Sequence, residues 1–254
     1  MDSSPKCLNC GESLSNGAFC SNCGQASSIH RFDWNYLWQK VKNSIDIDQG
    51  LFYTFFVLVI KPGLAIRGYI EGKRRALSNP IKVFVISGAI ATYVSFNIWS
   101  DYDSENFGAL EFLNLPDQRG YGHYSTKYLS FFSLDAIPYF ALFSWIFFLK
   151  DGFNYVEHLI LNIYVASGQF ILVGLLAPVF LIDSGDSVMI IYGMLNFAYN
   201  VWALIYFFKI QSVHRFFKVV AAVIIPAAST VLLNYLLYLL APQSFWSFLD
   251  ILFD

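Results

Sequence analysis

Two short segments, Cys7-Leu-Asn-Cys10-Gly and Cys20-Ser-Asn-Cys23-Gly, repeat a C-x-x-C-G knuckle across a spacer of nine residues. A tight C-x-x-C turn points two sulfurs the same way, and the glycine after the second cysteine permits the positive φ that such a turn often needs. Cys7, Cys10, Cys20 and Cys23 are therefore expected to converge on one ion, with one zinc per chain. Four thiolates close the coordination sphere and leave no position for a reacting water, so a structural metal is favoured over catalytic or redox use. Residues 1–31 are too few to bury a stabilising apolar core, and the ion is expected to fold them as a minimal ribbon of two short hairpins with Phe19 covering one side. With one Lys and no Arg in the first 30 residues, the ribbon is not expected to bind nucleic acid.

A second constellation lies far along the chain. Glu157 and His158 open an apolar run, and His158, Asn162 and Gln169 fall near one helical face at intervals of four and seven. Asn196 and Asn200 in the next run, and Asn234 in the last, could meet that face. Amides of this kind hydrogen-bond helices together inside membrane bundles, which is the favoured reading. The sharper one is a polar half-channel or substrate pocket with the Glu157–His158 pair at its mouth. Two further ionisable residues stand apart: His123 has no second metal ligand nearby, and Asp135 is expected to cap or snorkel beside Pro138.

The elements that would carry these groups follow from composition. The chain has 254 residues, 56% hydrophobic and 13% charged, against about 25% charged in soluble proteins, and its mean hydropathy is +0.50. Five apolar stretches, 81–99, 129–149, 159–182, 188–208 and 218–241, are long enough to span a bilayer or nearly so. Their continuous rather than alternating pattern selects helices, because lipid offers no partner to unpaired backbone groups. The fold class expected is an all-α polytopic membrane protein of about five transmembrane helices, divided as a zinc ribbon at 1–31, interfacial helices and a basic collar at 32–82, and the bundle at 83–254. Trp34, Leu37, Trp38, Val41 and Ile45 recur at helical spacing, which predicts an amphipathic helix in the headgroup layer or on the bundle; the uncharged decamer 51–60 is too short to span and is stopped by Pro62.

Charge then sets the orientation. Of the sixteen Lys and Arg, ten fall at or before Lys82, and Lys150, Lys209, Arg215 and Lys218 fall in the loops on the same side. Residues 100–128, 183–187 and those beyond 241 carry only Arg119 and Lys127 but nine acids. The positive-inside rule thus places the N-terminus in the cytosol and the C-terminus outside. No apolar signal segment precedes the cysteines, which fits a cytosolic head with reduced thiols. Residues 61–82 hold six of the cations between Pro62-Gly63 and Asn79-Pro80. Arg67, Lys73, Arg74, Arg75 and Lys82 are expected to meet the anionic headgroups of the inner leaflet. A competing reading folds Arg67, Tyr69, Glu71 and Arg74 back onto Glu157 and His158 as a gate.

The ribbon from Cys7 to Gln25, the collar from Pro62 to Arg74, the pair Asn79-Pro80 and the motif Tyr155-Val-Glu157-His158 together resemble an uncharacterised family of bacterial inner-membrane proteins. The resemblance is close over the first third of the chain and thin beyond it. It implies a multi-pass protein of the bacterial inner membrane with an N-terminal zinc ribbon, and it implies no activity. Family members often carry further histidines after the E-H pair, whereas Leu161 to Val165 stand there in this chain.

No hydrolase, zincin, phosphate-loop or dinucleotide signature is present. The leading functional expectation is a membrane-anchored adaptor or assembly protein whose ribbon recognises a protein partner. The alternative is a small-solute or ion transporter using the polar faces of spans three to five, and an intramembrane enzyme using Glu157 and His158 ranks last.

Overall fold

The computed structural model describes residues 6–14, 17–28, 33–34, 50–99, 129–182 and 186–241. Among these residues, seven α-helices follow the head: α1 (Gly50–Ile60), α2 (Pro62–Ile70), α3 (Pro80–Trp99), α4 (Leu129–Phe147), α5 (Tyr155–Ile182), α6 (Asp186–Phe207) and α7 (Val213–Leu240). The described residues contain no strand, only two isolated bridges in the head. The amphipathic stretch around residues 37–45, the loop bearing His123, the side chain of Asp135 and the residues beyond 241 lie outside what is described.

The breaks between helices are written in local chemistry. Pro62 begins α2 and Pro80 begins α3, each at a position where the missing N–H has no intrahelical partner to lose. Asn79 caps α3 by accepting the Ile81 N–H at 3.0 Å. At the end of α6 the Ile210 N–H reaches back to the Ile205 carbonyl at 3.0 Å, with Lys209 at φ 51°. This is a left-handed helix stop of the kind glycine usually supplies.

Helix α5 is the hub, packing against α1, α2, α3, α4 and α6, while α7 closes the outside against α4 and α6. Its sequence explains this: a helix that is apolar all round can be buried all round. Over the most apolar window, 56% of α5 is buried, against 33% of α6 and 28% of α7, so the latter two present most of their surface outward. Two glycines allow the closest approaches. A Cβ on Gly63 would lie 2.2 Å from the Ala203 carbonyl oxygen, so α2 crosses α6 backbone to backbone. A Cβ on Gly168 would overlap the Tyr199 hydroxyl, which instead passes α5 to donate to the Leu58 carbonyl at 3.0 Å.

Among the described residues, three helices are long and apolar enough to cross a membrane, Tyr155–Phe180, Ile190–Phe207 and Val213–Leu240. They correspond to the last three of the five expected spans. For the first two, α3 and α4, the apolar stretches found are the shorter Pro80–Ser95 and Ala136–Phe147. The decamer before Pro62 is the separate short helix α1, with Leu51, Thr54 and Leu58 inward and Phe52, Tyr53 and Phe56 exposed.

Candidate metal centre and polar site

In the head, each knuckle closes on itself: the Gly11 N–H bonds the Cys7 carbonyl and the Gly24 N–H the Cys20 carbonyl, both at 2.8 Å. Gly11 and Gly24 adopt φ of +80° and +69°, the conformation for which glycine is suited. The bridges Lys6–Ser13 and Phe19–Ala26 make each knuckle the tip of a minimal hairpin. The four sulfurs lie within 4.8 Å of one another, with Cys7–Cys23 at 3.6 Å and Cys10–Cys20 at 3.7 Å. Tetrahedral ligands about 2.3 Å from a zinc stand about 3.8 Å apart, close to the two shorter separations here, so the cluster could hold such an ion. The thiols share protons unequally. Cys23 is lowered to about 6 by the Gln25 backbone N–H and by hydrogen bonds from Asn9, Cys10 and Cys7, against the cost of burial. At Cys10 the Glu12 backbone N–H lowers the value, but burial and the three neighbouring cysteines outweigh it and push the thiol up to about 11. The cluster thus offers a thiolate at neutral pH, the form a metal ion takes. Phe19, expected to cover one side of the ribbon, is 64% exposed.

The head is seated on the collar. Gln25, 5% exposed, donates from Nε2 to the Gly72 carbonyl at 2.8 Å and accepts from the Arg75 N–H at 3.3 Å. One carboxamide thus pairs with donor and acceptor of the turn as a neighbouring strand would. Gly72, at φ +120°, leaves room for Leu8, whose Cδ1 would stand 2.7 Å from a Cβ. This docking was not foreseen from sequence, because its partners are 47 and 50 residues apart.

The five collar cations divide. Lys73 and Arg75 are exposed and Arg74 half-buried, whereas Lys82 is buried. Arg67 turns inward, binding Glu71 at 2.6 Å and the Phe207 carbonyl at 2.6 Å, where a cation meets the negative end of α6. Its guanidinium also stands 5.5 Å from the centre of the Phe153 ring, which meets His158 edge-on at 6.4 Å. Tyr69 packs edge-on against Tyr164 of α5 at 5.2 Å.

The expected polar face of α5 is split into three surroundings. Glu157 accepts the Asn154 N–H at 2.7 Å while Asn154 Oδ1 accepts the Glu157 N–H at 2.9 Å. This reciprocal pair is a capping box, whose signature, Asn three residues before Glu at the head of an apolar run, was legible in the sequence. His158 is fully buried between Phe153 and Phe208, the latter stacked at 5.6 Å. Its Nδ1 lies 2.8 Å from Ser144 Oγ of α4, and Asn162 donates to the same oxygen at 3.3 Å and to the His158 carbonyl at 2.8 Å. Ser144 had drawn no attention as a sequence residue.

Asn162, Gln169 and Asn200 then line one cavity of about 110 Å³ between α4, α5 and α6, together with Ile137 and Phe140. Asn196 instead lines a cavity between α1, α5 and α6 and donates to the Tyr192 carbonyl of its own helix at 3.1 Å. Asn234 is buried in α7 and does not line that cavity.

Fold and site together define a mostly helical protein with, among the described residues, three helices long and apolar enough to cross a membrane and an N-terminal cluster of four cysteines that could hold a metal ion. The family described as Protein of unknown function (DUF3667) matches residues 48–92, the segment from the start of α1 into α3. No curated protein and no solved structure matches the chain.

Proposed function

We propose that the protein is a membrane-anchored adaptor or assembly protein, with one zinc held by Cys7, Cys10, Cys20 and Cys23 in a cytosolic ribbon that engages a protein partner. The observation carrying this reading is the head itself: a closed set of four sulfurs, seated on the collar through Gln25, with the apolar Phe19 left 64% exposed on a polar module. An aromatic side chain exposed on a small rigid scaffold suits partner recognition. In the same reading α3 and α4, at 20 and 19 residues, join the three longer helices as spans of the bacterial inner membrane. Charge segregation puts the head inside and the C-terminus outside.

The test is cross-linking in native membranes with wild type, Phe19→Ser and a chain lacking residues 1–31. A partner captured by wild type and lost by Phe19→Ser at unchanged zinc content supports the adaptor; a capture profile identical in all three chains refutes it. A second reading, a small-solute transporter, draws on the cavity shared by Asn162, Gln169 and Asn200. Flux in proteoliposomes that survives loss of the head and falls with Asn200→Leu would favour it.

A further inference from the structure

Two cavities on the outward face of α6 share a wall. The larger, about 530 Å³, is a groove between α1, α5 and α6 lined almost wholly by apolar side chains, among them Val59, Leu172, Leu176, Leu195 and Ala198. Its one amide side chain, Asn196, is turned to its own helix through the Tyr192 carbonyl. The smaller, about 180 Å³, lies at the α1–α2 break and is lined by Lys61, Pro62, Gly63 and Tyr206. Trp202 lines both, and its ring meets Tyr206 edge-on at 6.3 Å.

Each end of this paired cavity has a distinct chemistry. From Tyr192 to Trp202 the groove follows α6 for about 15 Å at 1.5 Å per residue, which equals half of a hydrocarbon core about 30 Å thick. At the collar end, Trp202 and Tyr206 are the residue types that settle at the level of lipid headgroups. Lys61 stands there exposed, its side chain taking no part in capping α2 and forming no ion pair with any described residue. A groove one leaflet deep, apolar along its length, aromatic at its rim and cationic at its mouth is complementary to one chain and the head of an anionic lipid.

We infer that this groove is a binding site for an anionic glycerophospholipid, with one acyl chain lying along α6 against α1 and α5 and the phosphate at Lys61. The inference is independent of the adaptor reading. It differs from a diffuse attraction of lipid to the collar, because Lys61 lies outside the Lys73–Arg75 cluster and lines a cavity that meets the apolar groove at Trp202. The broken helix pair explains itself on this basis: the stop at Pro62 ends α1 at headgroup depth and leaves Lys61 at the mouth.

Native mass spectrometry of the full chain, delipidated in detergent and titrated with phosphatidylglycerol or phosphatidylcholine of identical acyl chains, tests the site. Wild type should retain one phosphatidylglycerol in preference to phosphatidylcholine. Lys61→Gln should lower phosphatidylglycerol retention about five-fold, the weight of one interfacial charge, without changing that of phosphatidylcholine. Ala198→Trp, which fills the groove from an exposed position, should lose both lipids at unchanged helicity and metal content; should that variant not fold, Lys61→Gln decides alone. Equal retention of the two lipids by wild type, or a preference that survives Lys61→Gln, overturns the inference, and in the second case loss of the preference on replacing Lys73 and Arg75 by Gln assigns it to the collar.

Discussion

The head and the bundle meet at the collar, yet they are held in shape by different forces. Between residues 6 and 28 the backbone is tied by a few knuckle hydrogen bonds and two isolated bridges, and among its apolar side chains Leu8 and Phe19 are 56% and 64% exposed. Around α5, by contrast, Ile160, Leu161, Tyr164 and Val173 are wholly buried, and the buried hydroxyls of Tyr164 and Tyr199 each find a carbonyl on a distant segment, Ser78 and Leu58. The head has little apolar surface to fold by burial, and in the proposed reading it draws its order from an ion. The bundle has surplus apolar surface and uses polar groups sparingly, to fix register between helices. A perturbation of one region should therefore leave the other intact, except where they touch through Gln25 and Leu8.

The largest effect expected is on the head. Structural zinc contributes about 10–16 kcal/mol in small ribbons, far more than the head's own contacts supply. Chelation, or Cys10→Ser, should abolish metal binding and erase protection of the head's amides from hydrogen exchange, while helix content and membrane insertion stay unchanged. A metal requires deprotonated thiols. Because protons compete with the metal for all four thiols, loading should fall as pH is lowered, as a chromophoric chelator would report. Loss of the bundle on chelation would break the separation of the two regions.

On the bundle side the corresponding break is Gly63→Ala. Its Cβ would lie 2.2 Å from the Ala203 carbonyl oxygen and 2.7 Å from the Phe207 nitrogen, both backbone atoms with no rotamer to yield. Moving α2 off α6 also loosens Arg67 from the Phe207 carbonyl. We expect a loss of about 3 kcal/mol, the upper part of the range for overpacking, read as a lower thermal midpoint in detergent at full zinc content.

The contact between the regions should respond in both. Gln25→Ala strands the buried Gly72 carbonyl and frees the Arg75 N–H, which should cost about 1–3 kcal/mol. Zinc content should not change, because Gln25 contributes no ligand, but exchange at residues 72–75 should quicken. Exchange at 72–75 identical to wild type would show that the seating of head on collar is incidental.

What the sequence displayed of this comparison depended on range. Cys7, Cys10, Cys20 and Cys23 were legible because ligand spacing is a local property of the backbone, and Asn162 and Gln169 because helical periodicity assigns a face. The meeting of that face with Asn200 and not Asn196 was not legible. The two differ by one turn yet line different cavities, Asn200 one between α4, α5 and α6 and Asn196 one between α1, α5 and α6. The seat of the head on the collar was hidden for the same reason, since Gln25 finds Gly72 across 47 residues. Lys82, whose type suggested a headgroup contact, lies two residues into α3 and is buried within the protein. Five spans were read from hydropathy alone, which scores α3 and α4 without knowing how much of each is covered by α5.

The smallest effect expected concerns Glu157, where two accounts of one residue diverge. As a titrating group at the mouth of a polar path, its replacement by Gln would remove the charge on which that role depends. As the N3 member of a capping box, what matters is an oxygen able to accept the Asn154 N–H, which Gln also supplies. Caps are worth about 0.5–2 kcal/mol when lost entirely, and a carboxamide retains the acceptor while giving up only the interaction of a negative charge with the start of α5, about 0.3–1 kcal/mol. Glu157→Gln should thus shift the thermal midpoint by less than Glu157→Ala does, and the partner bond at Asn154, tested by Asn154→Ala, should prove coupled to Glu157→Ala in a double-mutant cycle. Additive effects of Asn154→Ala and Glu157→Ala, with Glu157→Gln as damaging as Glu157→Ala, would return Glu157 to the polar site and remove it from the scaffold.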